Sequence, residues 1–112
     1  MIYASIALFA ISAVLGLTIL LKWLSKTEAS STVIYAHGAF AAVALVILIV
    51  FALQNPENFP KTSILLFIVA ALGGFYMFFR NLKQKIGPMP LAFLHALLAV
   101  SGFVILLLFA FA

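Results

Sequence analysis

The chain carries four apolar stretches, at 2–24, 33–53, 63–80 and 90–112, joined by short polar connections. Each is about 20 residues long, and at about 1.5 Å per residue a helix of that length crosses the roughly 30 Å hydrocarbon core of a bilayer. In lipid every backbone N–H and C=O must find its partner within the chain, so these stretches are helices rather than open strands. Composition agrees: 68% of residues are hydrophobic and 7% are charged, with a mean hydropathy of +1.37. A soluble domain carries about 25% charge. This material therefore cannot build a water-facing surface, which excludes a soluble domain, a disordered segment, a coiled coil and a nucleic-acid-binding module. With 112 residues there is room for a single transmembrane domain, 1–112.

The connections carry helix-end signals. Ser30, Ser31 and Thr32 are N-cap candidates for the second stretch, and Thr62 and Ser63 for the third. Pro56 and Pro60 mark a tight turn; Gly87, Pro88 and Pro90 break the chain before the fourth stretch, with Pro90 suited to a first helical turn. Loops this short place consecutive helices antiparallel. The expected fold is all-α, a four-transmembrane-helix up-down-up-down bundle in a lipid bilayer.

The pI near 9.8 comes from six Lys/Arg against two Glu. Lys22 and Lys26 flank the first connection, Arg80, Lys83 and Lys85 the third, and Lys61 alone the second. Five of the six basic residues thus fall on one side, which the positive-inside rule makes cytoplasmic. The expected setting is a bacterial inner membrane, with loops 1 and 3 cytoplasmic and both termini outside. The first stretch does not look like a cleavable signal peptide, because it is too long for an h-region and basic residues follow it. No cysteine is present, which removes disulfides, covalently attached c-type haem, iron–sulfur clusters and thiol chemistry.

Shifted by 58 residues, the sequence matches itself without a gap. Residues 5–52 against 63–110 give 14 identities in 48 positions, where a chain of this alphabet gives roughly 4 or 5 by composition. Ser5/Ser63, Phe9/Phe67, Gly16/Gly74, His37/His95, Ala41/Ala99, Leu48/Leu106 and Phe51/Phe109 are among them, and Lys22 falls on Arg80. The bundle is thus expected to be a tandem two-helix repeat, related by an approximate two-fold along the membrane normal. That symmetry brings the two histidines to one depth on helices two and four, the diagonal pair of a simple bundle.

An ionisable side chain within a membrane span points to function. From each histidine the same helical face continues through small residues: Ala41, Ala44, Leu48 and Phe51 after His37, and Ala99, Gly102, Leu106 and Phe109 after His95. Gly16, Gly73 and Gly74 fall at a similar depth on helices one and three. Two facing imidazoles beside an apolar slot suit a haem b with His37 and His95 as axial ligands to the iron. Gly16, Ala41, Gly74 and Ala99 would line the slot, and Lys22, Lys26 and Arg80 would meet the propionates. Alternatives remain open: histidines that only pack, a non-catalytic accessory subunit of a larger membrane complex, or a binder of another apolar guest such as a quinone or pigment. A zinc site lacks half of its usual four ligands. Trp23, Tyr35 and Tyr3 suit interfacial belts, Gly73-Gly74 a close-packing point, and Thr18 and Tyr76 ordinary packing. The turn with Asn81, Lys83, Gln84 and Lys85 suits a topological anchor. No serine–histidine–acid set, phosphate loop or carboxylate pair exists, so neither hydrolase nor nucleotide chemistry is supported.

With His37 and His95 in this frame, the chain resembles small four-helix b-type cytochromes, such as the cytochrome b561 type and the membrane anchors of respiratory dehydrogenases. The resemblance implies bis-histidine haem and electron transport rather than turnover catalysis. Cytochrome b561-type proteins use two histidine pairs; one pair here implies one haem, with a quinone or redox partner protein to complete any transfer. In size the chain also resembles small multidrug-resistance exporters. That likeness implies an acidic residue in the first helix, and residues 2–24 contain none.

Overall fold

The computed structural model describes residues 1–83 and 86–112. Gln84 and Lys85, read above as part of the third connection, lie outside the described residues. Four helices run in chain order: α1 (Ile2–Leu24), α2 (Ser31–Gln54), α3 (Lys61–Asn81) and α4 (Met89–Phe111). All four are long and apolar enough to span a membrane, with mean hydropathies of 2.4, 2.5, 2.1 and 2.6 over their best windows. They form an antiparallel bundle of 44 × 23 × 21 Å, the fold expected from the sequence.

Pro90 lies in the first turn of α4, where its missing N–H leaves no intrahelical bond unmade. The proposed side-chain caps do not form: Ser30 caps α2 by its backbone only. α3 starts one residue before Thr62, so Ser63 lies inside the helix and is fully buried. α1 ends in a Schellman turn, with Lys26 N–H donating to Trp23 O at 3.0 Å and Thr27 N–H to Lys22 O at 2.9 Å. The left-handed position of that turn, usually glycine, is Lys26, at φ 58°. Trp23, expected to face an interfacial belt, does not lie open on the bundle surface. It is buried with Ile19, Met77 and Ala92, and a Cβ at Gly87 would sit 2.2 Å from its ring. The third connection can cross Trp23 only as glycine.

The core is thin and lies where the repeat places it. Ala44, Leu48 and Leu106 are fully buried, all on the stripe that runs from the histidines. Around them Phe9 stacks on Phe67 at 4.0 Å and 11°, and Phe51 meets Phe109 edge-on at 6.2 Å. Each of these pairs consists of repeat-equivalent residues. Equivalent side chains touch each other only where they lie close to the axis relating the two halves, so the axis passes along the bundle between these pairs. α1 packs most extensively on α2 and α3 on α4, while the hairpins meet each other through the thinner α1–α4 and α2–α3 interfaces. Outward positions are large and apolar, among them Val14, Leu72, Leu97 and Leu108, as lipid contact requires.

Burial therefore predicts a contrast. Leu48→Ala opens a cavity in the core and should lower stability by about 2–5 kcal/mol, whereas Leu72→Ala on the lipid face should change it little. Thermal unfolding of both variants in the same detergent checks this; equal melting temperatures would contradict the assigned core.

Candidate functional site

The two histidines sit on opposite sides of that axis. Their rings are 6.2 Å apart between centroids and inclined at 80°, and no other side chain need separate them at that distance. The backbones of α2 and α4 do not pack on each other, so the imidazoles, like Phe51 and Phe109, reach across the diagonal of the bundle.

Each ring is anchored to the preceding helix of its own hairpin. His37 Nδ1 lies 2.7 Å from the carbonyl oxygen of Ser12, and His95 Nδ1 lies 2.7 Å from that of Ala70. Ser12 and Ala70 are themselves repeat-equivalent. A carbonyl oxygen can only accept, so Nδ1–H donates in both rings, which fixes the tautomer. The other nitrogen, Nε2, then carries a lone pair when the ring is neutral. It engages no hydrogen-bond partner among the described residues. Ser12 adds a second hold on His37. Its Oγ donates to the His37 carbonyl at 3.0 Å and lies 3.0 Å from Nδ1.

The glycines make this possible. A Cβ at Gly16 would lie 2.8 Å from His37 Cε1, and one at Gly74 would lie 3.2 Å from His95 Cε1. The space left by each absent side chain is taken by the imidazole itself, so Gly16 and Gly74 seat the rings rather than lining an empty slot. Gly73 has open space where a Cβ would stand and is not a close-packing point. Ala41 and Ala99 are half-buried one turn further along the histidine faces. Lys22, Lys26 and Arg80 are exposed at the bundle end nearer the histidines. Thr18 donates to its own helix at Val14 O and, like Tyr76, faces outward. Neither reaches the histidines.

Sequence periodicity missed the carbonyls of Ser12 and Ala70, because a main-chain acceptor leaves no trace in residue type. The signal that could have found them is the constant spacing of 25 residues from each carbonyl to its histidine. Among the described residues no group of three or more His, Cys, Asp or Glu comes together, so any metal held here would rely on the imidazole pair. No protein-family model, curated protein or solved structure matches the chain.

Gly16→Ala must push the His37 ring off its hydrogen bonds, and overpacking of this kind costs about 1–3 kcal/mol. Gly74→Ala, with a few tenths of an ångström more room, should cost less. Parallel thermal melts of the two variants test the order; a larger loss for Gly74→Ala would contradict the packing described.

Proposed function

We propose that the chain binds one haem b between its two hairpins, with His37 and His95 as axial ligands, and serves in electron transfer within the membrane. The observation that carries this is the geometry of the imidazole pair. The two rings lie near enough to share one metal, which their Nε2 atoms would hold. The rings of His37 and His95 stand at 6.2 Å. Their Nδ1 atoms donate to main-chain carbonyls, the kind of bond that orients a metal-ligating histidine and raises its basicity. The donor set therefore suits the group: two neutral nitrogens, nothing acidic, and an apolar surround.

The thin interfaces between the hairpins favour a flat guest there, since two halves that pack loosely on each other can separate at little cost. Lys22, Lys26 and Arg80 would meet the propionates, Arg80 by a bidentate pair and the lysines as point charges. Lys26 keeps a charge at a backbone position that favours glycine, which is consistent with a use for it. Haem supplies reversible one-electron exchange when bound. The protein's part is to hold both rings at fixed tautomer, keep water from the iron and provide the cationic rim. With one site, electrons would pass to or from a quinone or a second protein, in the manner of a subunit of a larger membrane complex. The bias of basic residues towards the Lys22 and Arg80 end supports a cytoplasmic location for that end and outward-facing termini.

Protein expressed with sufficient haem, or reconstituted with haemin in detergent, should show the Soret and sharp α bands of a six-coordinate low-spin b haem. His37→Ala and His95→Ala should each abolish that signature. A six-coordinate spectrum persisting in both variants would refute the ligands, and a wild-type protein that takes up no haem would refute the function.

A further inference from the structure

The repeat gives the two imidazoles equivalent positions and unequal supports. Ser12 stands where the second hairpin has Ala70. Both residues offer a carbonyl oxygen to a ring Nδ1–H at 2.7 Å, and Ser12 alone adds a hydroxyl. Its Oγ donates to the His37 carbonyl at 3.0 Å. That bond commits the hydroxyl proton and leaves an Oγ lone pair to accept from Nδ1, 3.0 Å away. The ring N–H of His37 is therefore shared between two acceptors of one residue, whereas that of His95 has one among the described residues. Ser12 is 3% exposed and lies within a span, so no water competes for either group. The space around the rings repeats the inequality. A Cβ at Gly16 would lie 2.8 Å from His37 Cε1, and one at Gly74 would lie 3.2 Å from His95 Cε1. An apolar groove of about 350 Å³, lined by Ala70, Gly73 and Leu94, runs beside His95, and the residue equivalent to Gly73 in the first hairpin is Leu15.

We infer that Ser12 is a positioning residue for His37: its hydroxyl sets the plane of that ring, so the first hairpin carries a fixed imidazole and the second a less constrained one. A single carbonyl fixes where Nδ1 sits but leaves the ring to swing about the N–H···O line. Two acceptors on one N–H hold the ring to the plane that serves both. The hydroxyl can act this way because its own proton is already engaged by the His37 carbonyl, which ties the serine to the residue that it orients. In a span the bond has further weight, since an N–H that leaves its acceptors finds no water to replace them. The use of a fixed plane, to present Nε2 in one direction to a shared metal, rests on the function proposed above; the hold itself does not.

Nuclear magnetic resonance of the full chain with isotope-labelled histidine, in lipid nanodiscs and without haem, tests this. The readout is the exchange of each ring N–H after transfer to heavy water, with the two signals assigned from the single-histidine variants. In the wild type the His37 ring proton should exchange more slowly than that of His95. Ser12→Ala should speed exchange at His37 by about two- to tenfold, the range carried by one net hydrogen bond, and leave His95 as it was. Ala70→Ser, which supplies the missing hydroxyl, should slow exchange at His95 by a similar factor and leave His37 as it was. An unmoved His37 in Ser12→Ala, or an unmoved His95 in Ala70→Ser, overturns the inference. So does a change in both rings together, which is what a serine that merely ties α1 to α2 would produce. A wild-type protein that takes up no haem overturns the proposed function and leaves the hold of Ser12 on His37 standing, because no haem enters the measurement.

Discussion

In hydrocarbon a ring N–H has no water to turn to, and the bonds from His37 to the Ser12 carbonyl and from His95 to the Ala70 carbonyl follow from that constraint. Apolar burial discriminates little between helix–helix and helix–lipid contact, because lipid tails are as apolar as leucine. Polar bonds and close fit then decide how helices pair. Each imidazole bond ties the two helices of one hairpin at one depth, and Ser5 Oγ donating to Ala44 O at 2.8 Å ties α1 to α2 again further along. These crosslinks fix the register that brings the stripe of Ala44, Leu48 and Leu106 inward.

Duplication turns this local bond into a site. One hairpin presents one imidazole with Nδ1 occupied and the ring lying against a glycine of its anchoring helix. Two hairpins about a common axis present two, opposite each other. The same axis stacks Phe9 on Phe67 and sets Phe51 against Phe109, as it brings His37 to His95. Glycine at position 16 is required because the helix backbone and the imidazole approach too closely for a side chain between them, and at position 74 the fit is tight. Conversely, where the repeats diverge, at Ser12 against Ala70 and Leu15 against Gly73, the two histidines acquire different surroundings. Symmetry provides the pair and its imperfection distinguishes the members.

Much of this was legible in the chain, for a physical reason in each case. The bilayer imposes a length and a composition on any spanning helix, so α1 to α4 could be placed within a few residues. A gapless repeat carries its own symmetry, so the equal depth of His37 and His95 followed without coordinates. Local cap chemistry was less reliable: Thr62 and Ser63 resemble helix caps, yet Pro60 starts α3 earlier and packing draws Ser63 inward. Trp23 resembles an interfacial anchor, yet the chain at Gly87 folds over it and buries it.

By itself, then, the sequence determined the class of solvent, the number of helices, the two-fold arrangement and the pairing of its histidines, because these follow from hydropathy, span length and internal repetition. Only the tertiary structure decided how the imidazoles are held, which nitrogen each leaves available, how far apart the rings stand, and that a groove opens at Gly73 beside His95. Those properties depend on main-chain carbonyls and on the space between neighbouring helices, neither of which is written in the identity of any single residue.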